Sequence, residues 1–291
     1  MIAAPLLATF ALACAGPDPM ATALRLDPAA TTLVWSFTSA GPPWIWTRAA
    51  QPLAAEVGSL GLGESDGRLI LVGLPMADKP SHWDEWFPSL RVRGWVGRAG
   101  LRLADVADPS AWTPSTWSIA DPDAISALDP QPFEGGFWYY AARGAEGDPA
   151  AFSGAHAIRS SPPPQVRLSA NGLADPSPVR FHGKVLLFAT AWPDSVVLAA
   201  GEPLTIQHRF PGLSVPFAAV VPEGGQDALW LVAQAVVAGK RQPVLARSAD
   251  GLGWSEPAPM LDLGDLQSCT SPVLGAVSGG LALFCVEERA R

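Results

Sequence analysis

A short two-strand unit recurs along the chain and constrains the fold more than any other feature of the sequence. Each copy contains a polar or small residue that proline often follows, a short apolar strand, a glycine turn and a second apolar strand. The copies start at Ser59, Leu128, Ala174, Ser214 and Thr270. Their second strands are continuous apolar runs, typical of strands buried on both faces, and they read RLILVGL, FWYYAA, VLLFATA, LWLVAQA and LALFCVE.

A third, more polar strand with a turn follows most of these pairs, in residues 101–117, 156–165 and 243–257. Five units of this kind predict an all-β fold, a five-bladed β-propeller with four-stranded blades. The fifth unit contains little sequence beyond its second strand, so we expect residues 23–37 to supply its outer strands and close the ring. An open β-sandwich and a pair of smaller β domains remain the alternatives.

The composition is that of a protein with a large core, and it excludes one class of partner. Of the 291 residues, 48% are hydrophobic and 16% are charged, and the 30 prolines and 28 glycines indicate many turns rather than a helical bundle. A net charge of −8 argues against the basic face that nucleic-acid binding needs. We therefore expect no nucleic-acid partner, and we expect a monomer.

Residues 2–13 form an unbroken apolar run that ends at Cys14. Twelve residues are too few for a membrane-spanning helix, which needs roughly 20, but they suit the apolar region of a secretory signal. With Ala11 and Ala13 before Cys14, the run resembles a bacterial lipoprotein signal. This resemblance implies a signal peptide over 1–13, lipid on Cys14 as the sole membrane attachment, a linker over 14–22 and one propeller domain over 23–291. A secretory signal cleaved near Ala15, giving a secreted or periplasmic protein, and a buried N-terminal strand remain alternatives.

Cys269 and Cys285 lie on either side of the turn at 278–280, where a hairpin brings two strands together. They are predicted to form a disulfide, which fits an oxidising compartment and stabilises the fold by roughly 3 kcal/mol on the chain-entropy model. The alternative is a pair of reduced core cysteines. Because no Cys or His spacing is typical of a metal or redox centre, we expect neither a metal nor a cofactor.

The ends of the inner strands are the candidate site, because in a propeller these strands all start at one face of a central funnel. Their side chains converge there although they are distant in sequence. The repeat places these residues near the mouth of the funnel: Ser59 with Glu56 upstream, Asp129, Asp175, Ser214 and Ser271.

The segment GLADPSPVRFHGKVLLFAT, residues 172–190, resembles a unit of the five-bladed propeller glycoside hydrolases, the arabinanase, xylosidase and levansucrase group. This resemblance implies three carboxylates, an Asp base, an Asp that tunes the acid and a Glu acid. Asp129 matches the tuning position, Ser59 stands at the position of the base, Asp175 stands where the acid is sought, and Glu56 is a substitute after a register shift. The alternative is that Asp129 and Asp175 only cap turns before proline.

A second candidate site is the connection at 76–95, which places aromatic rings beside carboxylates: His82, Trp83, Asp84, Glu85 and Trp86. Sugar rings stack on tryptophan while acidic groups accept hydrogen bonds from hydroxyls, so the loop is a candidate carbohydrate platform. The alternative is an ordered loop whose tryptophans plug the edge of a blade.

The spacing of Ser248, Asp250, Gly251 and Trp254 resembles the Asp-box turn of sialidase-like propellers, and residues 108–112 form a degenerate copy. This resemblance implies a structural role on the outer rim, so Asp250 is not a catalytic candidate.

We expect an exported envelope lipoprotein whose propeller binds or recognises a ligand, with a carbohydrate as the first candidate. The alternatives are a glycoside hydrolase that uses the carboxylates of the funnel, and a non-catalytic interaction scaffold of the cell envelope.

Overall fold

The computed structural model describes residues 32–75, 89–120, 126–142, 156–170 and 172–289. These residues form five antiparallel sheets, each built around four strands in a meander. The predicted signal and linker with Cys14, and the loop residues His82 to Trp86, lie outside the described ranges. Among the described residues, no helix is long and apolar enough to span a membrane.

The first two blades each follow the chain from the inner to the outer strand. Blade 1 consists of β4 (Val57–Ser65), β5 (Arg68–Pro75), β6 (Ser89–Gly97) and β7 (Trp112–Ala120). Blade 2 consists of β8 (Ser126–Phe133), β9 (Gly136–Ala142), β10 (His156–Ser161) and β11 (Gln165–Ser169). Short 3₁₀ turns at Leu103–Asp105 and Pro109–Ala111 precede β7.

The next two blades repeat this order. Blade 3 consists of β12 (Leu173–Phe181), β13 (Lys184–Ala191), β14 (Ser195–Ala200) and β15 (Thr205–Pro211). Blade 4 consists of β16 (Ser214–Glu223), β17 (Gln226–Val237), β18 (Lys240–Ser248) and β19 (Ala258–Pro259). The second strand of each blade carries the long apolar run of the sequence repeat, because neighbouring blades cover both of its faces.

Blade 5 closes the ring with both ends of the described chain. Its inner strands are β20 (Thr270–Val277) and β21 (Gly280–Glu288), and its outer strands are β1 (Thr32–Ser39) and β2 (Thr47–Arg48), with β3 (Ala54–Ala55) also paired to β1. The sequence-based prediction of a five-bladed propeller closed by N- and C-terminal strands is confirmed. The described N-terminal strand begins at Thr32.

A buried carboxylate and a disulfide reinforce this closure. Trp35 on β1 donates its Nε1–H to Oε2 of Glu287 on β21 at 3.0 Å, and the Gln267 backbone N–H donates to the other oxygen of that carboxylate at 3.1 Å. Cys269, directly before β20, is bonded to Cys285 on β21, with the two Cα atoms 5.3 Å apart. Both cysteines are fully buried.

The apolar core lies between the blades rather than inside any one of them. Between blades 3 and 4, for example, Phe188 and Phe210 pack with Trp254, whose ring centroid is 5.7 Å and 5.2 Å from theirs. Asp250 fixes the turn that carries this tryptophan by accepting hydrogen bonds from the backbone N–H groups of Leu252 and Gly253. The Asp-box turn is therefore an inter-blade support on the rim.

Candidate functional site

Every inner strand has an irregularity close to its first residues. The pairing register between the first and second strand shifts between Val57 and Leu60 in blade 1, and between Leu128 and Gln131 in blade 2. The corresponding shifts in blades 3, 4 and 5 leave out 175–176, 215–216 and 271–272. Such bulges re-aim side chains, so one residue per blade is turned toward the axis at the face where the inner strands start, here named the mouth face.

The bulges share a backbone conformation. Asp129, Asp175, Val215 and Ser271 have φ of 51°, 47°, 46° and 47°, in the left-handed region that residues with a Cβ rarely adopt. Each is only partly buried, and each precedes a buried proline. The fold therefore presents a ring of equivalent, partly exposed side chains on its mouth face.

The register shifts define which residues of blades 1 and 4 lie in the bulge. In blade 4 the bulge residue is Val215, and Ser214 lies one position before it. In blade 1 the bulge contains Gly58 and Ser59, so Ser59 corresponds to the proline of the other blades rather than to Asp129. A shift of one residue in a strand exchanges the side chains that face the axis, so the sequence pattern alone leaves this assignment open.

Asp129 and Asp175 occupy the ring in neighbouring blades, and their carboxyl groups share a hydrogen bond. The pKa of Asp175 is raised to about 8, first by desolvation within the protein and then by the charge of Asp129. Asp175 nevertheless keeps partial contact with solvent. The part of the mouth face around the two carboxyl groups is here named the recess.

Tyr140 on β9 borders the same recess. Its side chain is almost fully buried, and burial, followed by the charges of Asp129 and Asp175, raises the pKa of its phenol above the usual value. The phenol therefore stays protonated throughout the physiological range and adds a neutral hydroxyl beside the two carboxyl groups.

The carboxyl pair is held by hydroxyl groups on both sides. Ser59 in blade 1 donates to Asp129 Oδ1 at 2.5 Å. The Thr190 hydroxyl, on β13, accepts the Val215 backbone N–H at 2.8 Å and is also hydrogen-bonded to Asp175, where it opposes the rise in pKa. Because its hydrogen bond lowers the pKa of Asp175, the Thr190 hydroxyl acts as the donor to this carboxyl. The resulting polar network runs from blade 1 to blade 4.

The separation of the two carboxyl groups determines what they can do chemically. A hydrogen bond between them requires an oxygen-to-oxygen distance of about 2.5–3.0 Å. Glycosidases that retain configuration hold their two carboxyls about 5–5.5 Å apart, and inverting ones about 6.5–9.5 Å apart. A pair of carboxyls that shares one proton can donate and accept hydrogen bonds at the same time, whereas cleavage of a glycosidic bond needs a further carboxyl at one of these separations.

Glu56, the substitute for a missing base in blade 1, lies just before β4. It is partly exposed, has φ of 54°, and its backbone N–H donates to the Thr32 carbonyl at 3.0 Å. It precedes the bulge of blade 1 by two residues rather than lying within it. The bulge of blade 1 thus contains no carboxylate, although Glu56 shares the left-handed conformation of the bulge residues in the other blades.

The described residues contain no group of three His, Cys, Asp or Glu side chains arranged to hold a metal ion. The carbohydrate platform predicted at His82, Trp83, Asp84, Glu85 and Trp86 lies outside the described ranges, so it stays a prediction. Tyr140 and Thr190 were missed as site residues, because both lie in apolar strand runs that sequence patterns assign to the core.

The fold and this ring define the class of protein as a five-bladed β-propeller with two neighbouring aspartates at the start of its inner strands. No family model and no curated protein matches the sequence. Solved structures of glycoside hydrolase families 43 and 62 are among its structural neighbours.

Three of these neighbours illustrate the level of similarity. The catalytic domain of the GH62 α-L-arabinofuranosidase of Coprinopsis cinerea is 12% identical, with a TM-score of 0.48 over 88% of this chain and 98% of that one. The α-L-arabinofuranosidase of Podospora anserina, solved with cellotriose, is 10% identical, with a TM-score of 0.48 over 89% of this chain and 98% of that one. The endo-arabinase of Bacteroides thetaiotaomicron is 13% identical, with a TM-score of 0.46 over 82% of this chain and 96% of that one. Likeness at this level concerns the fold alone.

Proposed function

We propose that the axial recess binds a carbohydrate, and that Asp129 and Asp175 are its central hydrogen-bonding groups. The observation that carries this proposal is the hydrogen-bonded carboxyl pair at two equivalent positions of the ring. A polyol presents hydroxyls that both donate and accept, and the proton-sharing pair offers both functions in one place. Ser59 adds a hydroxyl group beside Asp129.

The charge of the recess narrows the ligand class. Of two hydrogen-bonded carboxyls, one stays protonated at neutral pH and the other carries one negative charge. Burying a second anion beside it is costly, because opposite charges or hydrogen bonds would be needed to compensate it. We therefore propose neutral sugars rather than sugar acids as ligands.

Glycoside hydrolysis is the second candidate function, and one observation favours it. Asp175 keeps its proton at neutral pH beside Asp129, which is the arrangement that a general acid and a tuning carboxylate require. The reaction also needs a base or nucleophile at a suitable distance, and Glu56 is the candidate. The absence of a carboxylate in the blade 1 bulge is the reason for preferring binding over hydrolysis.

A binding assay combined with a hydrolysis assay tests both candidates. The purified protein is screened against a panel of neutral and acidic oligosaccharides, and hits are measured by calorimetry for the unchanged protein, Asp129→Asn, Asp175→Asn and the control Asp66→Asn. Asp66 is an exposed aspartate with φ of 52° in the β4–β5 turn, so the control makes the same chemical change in the same backbone conformation. Each ring variant is expected to lose about tenfold or more in affinity, because an amide at either position removes the shared proton through which the pair both donates and accepts hydrogen bonds.

Aryl furanosides and aryl xylosides serve as substrates in the second assay. Release of the aryl group that disappears in both Asp175→Asn and Glu56→Gln establishes a hydrolase. Binding without release establishes a lectin-like protein. If no panel member binds and no substrate is cleaved, both proposals are wrong and an interaction scaffold becomes the better hypothesis.

We further propose that the protein is exported and held at the bacterial envelope by lipid on Cys14. The apolar run at 2–13 supports this address, and the Cys269–Cys285 disulfide is compatible with an oxidising compartment. The test is expression of the full chain and of Cys14→Ser with radiolabelled palmitate. Label in the first and none in the second is expected. Equal labelling, or secretion of an unlabelled protein in both cases, contradicts the anchor.

A further inference from the structure

Trp192 lies on the mouth face, close to the carboxyl pair in the sheet. It directly follows β13, in the turn that leads to β14. The antiparallel ladder pairs Thr190 with Ala174 and Ala191 with Leu173, and it is extended by a hydrogen bond of 2.8 Å from the Trp192 N–H to the Gly172 carbonyl. Trp192 is thus one ladder step beyond the start of the strand that carries Asp175.

The alternation of side chains along this ladder indicates the direction of the Trp192 ring. Thr190 points toward Asp175 and toward the backbone of Val215 in blade 4. Trp192 follows Thr190 by two residues as the first residue of the turn, and continued strand alternation would place it on the same side of the blade as Thr190. Two residues advance the strand by about 7 Å, which places the indole above the recess rather than within it.

The exposure of Trp192 is large for its residue type. Its exposed fraction is 62%, and it is the aromatic member of the set of strongly exposed large hydrophobic residues found in the described ranges. The other members are spread over other strands and turns: Ile45, Val166, Ile206, Val236 and Leu252. A large aromatic surface beside a polar recess pairs the two kinds of contact that a sugar needs, an apolar platform and hydrogen-bonding groups.

The backbone beneath the ring is fixed by Gly172. Its φ is +72°, and a Cβ added there would lie 3.4 Å from the Trp192 Cβ and 3.5 Å from its carbonyl oxygen. The close approach of these two segments holds the turn against the start of β12. A turn held in this way spares a ligand the entropic cost of ordering its backbone.

We propose that Trp192 is a stacking platform for the second ring of a neutral oligosaccharide whose first ring is bound by Asp129 and Asp175. This inference rests on the proposed function and deepens it, since it makes the ligand an oligosaccharide of at least two rings rather than a monosaccharide. Stacking removes apolar surface from water on both partners, and for an indole it is expected to strengthen binding about tenfold or more.

A chain-length series tests the inference. The probes are xylose and arabinose and their linear oligomers of two to four units, with affinities from calorimetry and, for the monosaccharides, from ligand-observed NMR. The proteins are the unchanged chain, Trp192→Ala, Trp192→Phe and Leu252→Ala. Leu252 is the matched control, because it is an apolar side chain with an exposed fraction of 82% on the rim turn that contains Asp250.

In the unchanged chain and in Leu252→Ala, affinity is expected to rise about tenfold from one ring to two. Trp192→Ala is expected to abolish this rise while its monosaccharide affinity stays within about twofold, and Trp192→Phe is expected to restore most of it. The inference is wrong if Trp192→Ala binds the disaccharide as tightly as the unchanged chain, or if it loses affinity for both lengths equally. If no saccharide binds the unchanged chain, the inference and the carbohydrate proposal fail together. If Asp175→Asn abolishes binding and Trp192→Ala leaves it unchanged, the carbohydrate proposal stands and only the role of Trp192 fails.

Discussion

Replacing Asp175 by asparagine should change how the stability of the propeller depends on pH. The pKa of Asp175 is raised in the folded state, chiefly by desolvation and then by Asp129. In the unfolded chain an aspartate titrates near 3.9. Between these two pKa values the folded protein binds more protons than the unfolded chain, so the free energy of unfolding falls as pH rises.

The slope can be worked out from the number of protons. One proton held by the folded state and released on unfolding lowers the free energy of unfolding by at most about 1.4 kcal/mol per pH unit. With a folded pKa of about 8, the loss continues from about pH 4 to about pH 8. Asparagine can donate a hydrogen bond to Asp129 and accept one from Thr190, as the protonated carboxyl does, without this titration.

The assay is urea unfolding at intervals of half a pH unit, followed by tryptophan fluorescence and analysed at constant m-value. The quantity of interest is the free energy of unfolding of Asp175→Asn minus that of the unchanged protein. It should rise by about 1–3 kcal/mol between pH 5 and pH 7, so that the variant gains relative stability in mildly alkaline solution. Hydrogen bonds from Arg102 and Arg98 lower the pKa of Asp105, so its contribution to the free energy of unfolding is lost in acid rather than in alkali. Both proteins contain Asp105, so this contribution cancels in the difference.

The matched control is Asp66→Asn, an exposed aspartate in the same left-handed backbone conformation. Its difference curve should stay within about 0.5 kcal/mol of a constant, as for an ordinary surface substitution. A flat curve for Asp175→Asn over the same range would refute the shared proton. A curve that falls with pH would show that Asp175 is ionised and stabilised by its surroundings, which contradicts the desolvation argument as well.

Three further substitutions test the supports of the site. Gly61→Ala would place a Cβ 2.3 Å from the Pro130 carbonyl oxygen, so it should destabilise the fold by about 1–3 kcal/mol and weaken sugar binding through the shifted blade 2 bulge; unchanged unfolding and binding would contradict this contact. Thr190→Val removes the acceptor of a backbone N–H in blade 4 and should cost about 1–3 kcal/mol in urea unfolding, whereas a neutral effect would refute the network. Reducing the buried Cys269–Cys285 bond, or replacing both cysteines by alanine, should lower the free energy of unfolding by about 2–4 kcal/mol, and a melting temperature indifferent to reductant would contradict that role.

The propeller could be predicted because its signals are local. Each apolar second strand, such as VLLFATA in blade 3, is a continuous run that only a strand covered on both faces explains, and the shortened fifth unit indicated closure by the N-terminus. The bulge positions were harder to predict from the sequence. Whether Ser214 or Val215 faces the axis depends on a shift of one residue in pairing with β17, which the apolar pattern tolerates in either phase. The proline that follows each bulge residue in blades 2 to 5 was the signal that could have fixed the phase.

The contact between Asp129 and Asp175 could not be predicted from the sequence for a different reason. The two residues belong to successive blades, so their separation depends on how closely the inner strands approach the axis, and this is a property of the closed ring. The tuning role that family resemblance implied for Asp129 is compatible with its effect on Asp175, but the base expected from blade 1 has no counterpart in the ring. Glu56→Gln in the aryl-glycoside assay therefore tests whether this glutamate serves in place of that base.

The left-handed backbone of the ring belongs to the architecture of the blades and does not by itself indicate a function. A left-handed conformation at a residue with a Cβ costs roughly 1–3 kcal/mol, and such strain often marks a functional site. Here the same conformation recurs at Val215 and Ser271, where no carboxyl is present, so the strain belongs to the way in which every blade begins. What distinguishes blades 2 and 3 is the choice of aspartate at that position in two neighbours. Two neighbouring carboxyls add a desolvation cost that valine or serine would avoid. The proposed ligand site is therefore supported by the two aspartate side chains and not by the left-handed backbone of the ring.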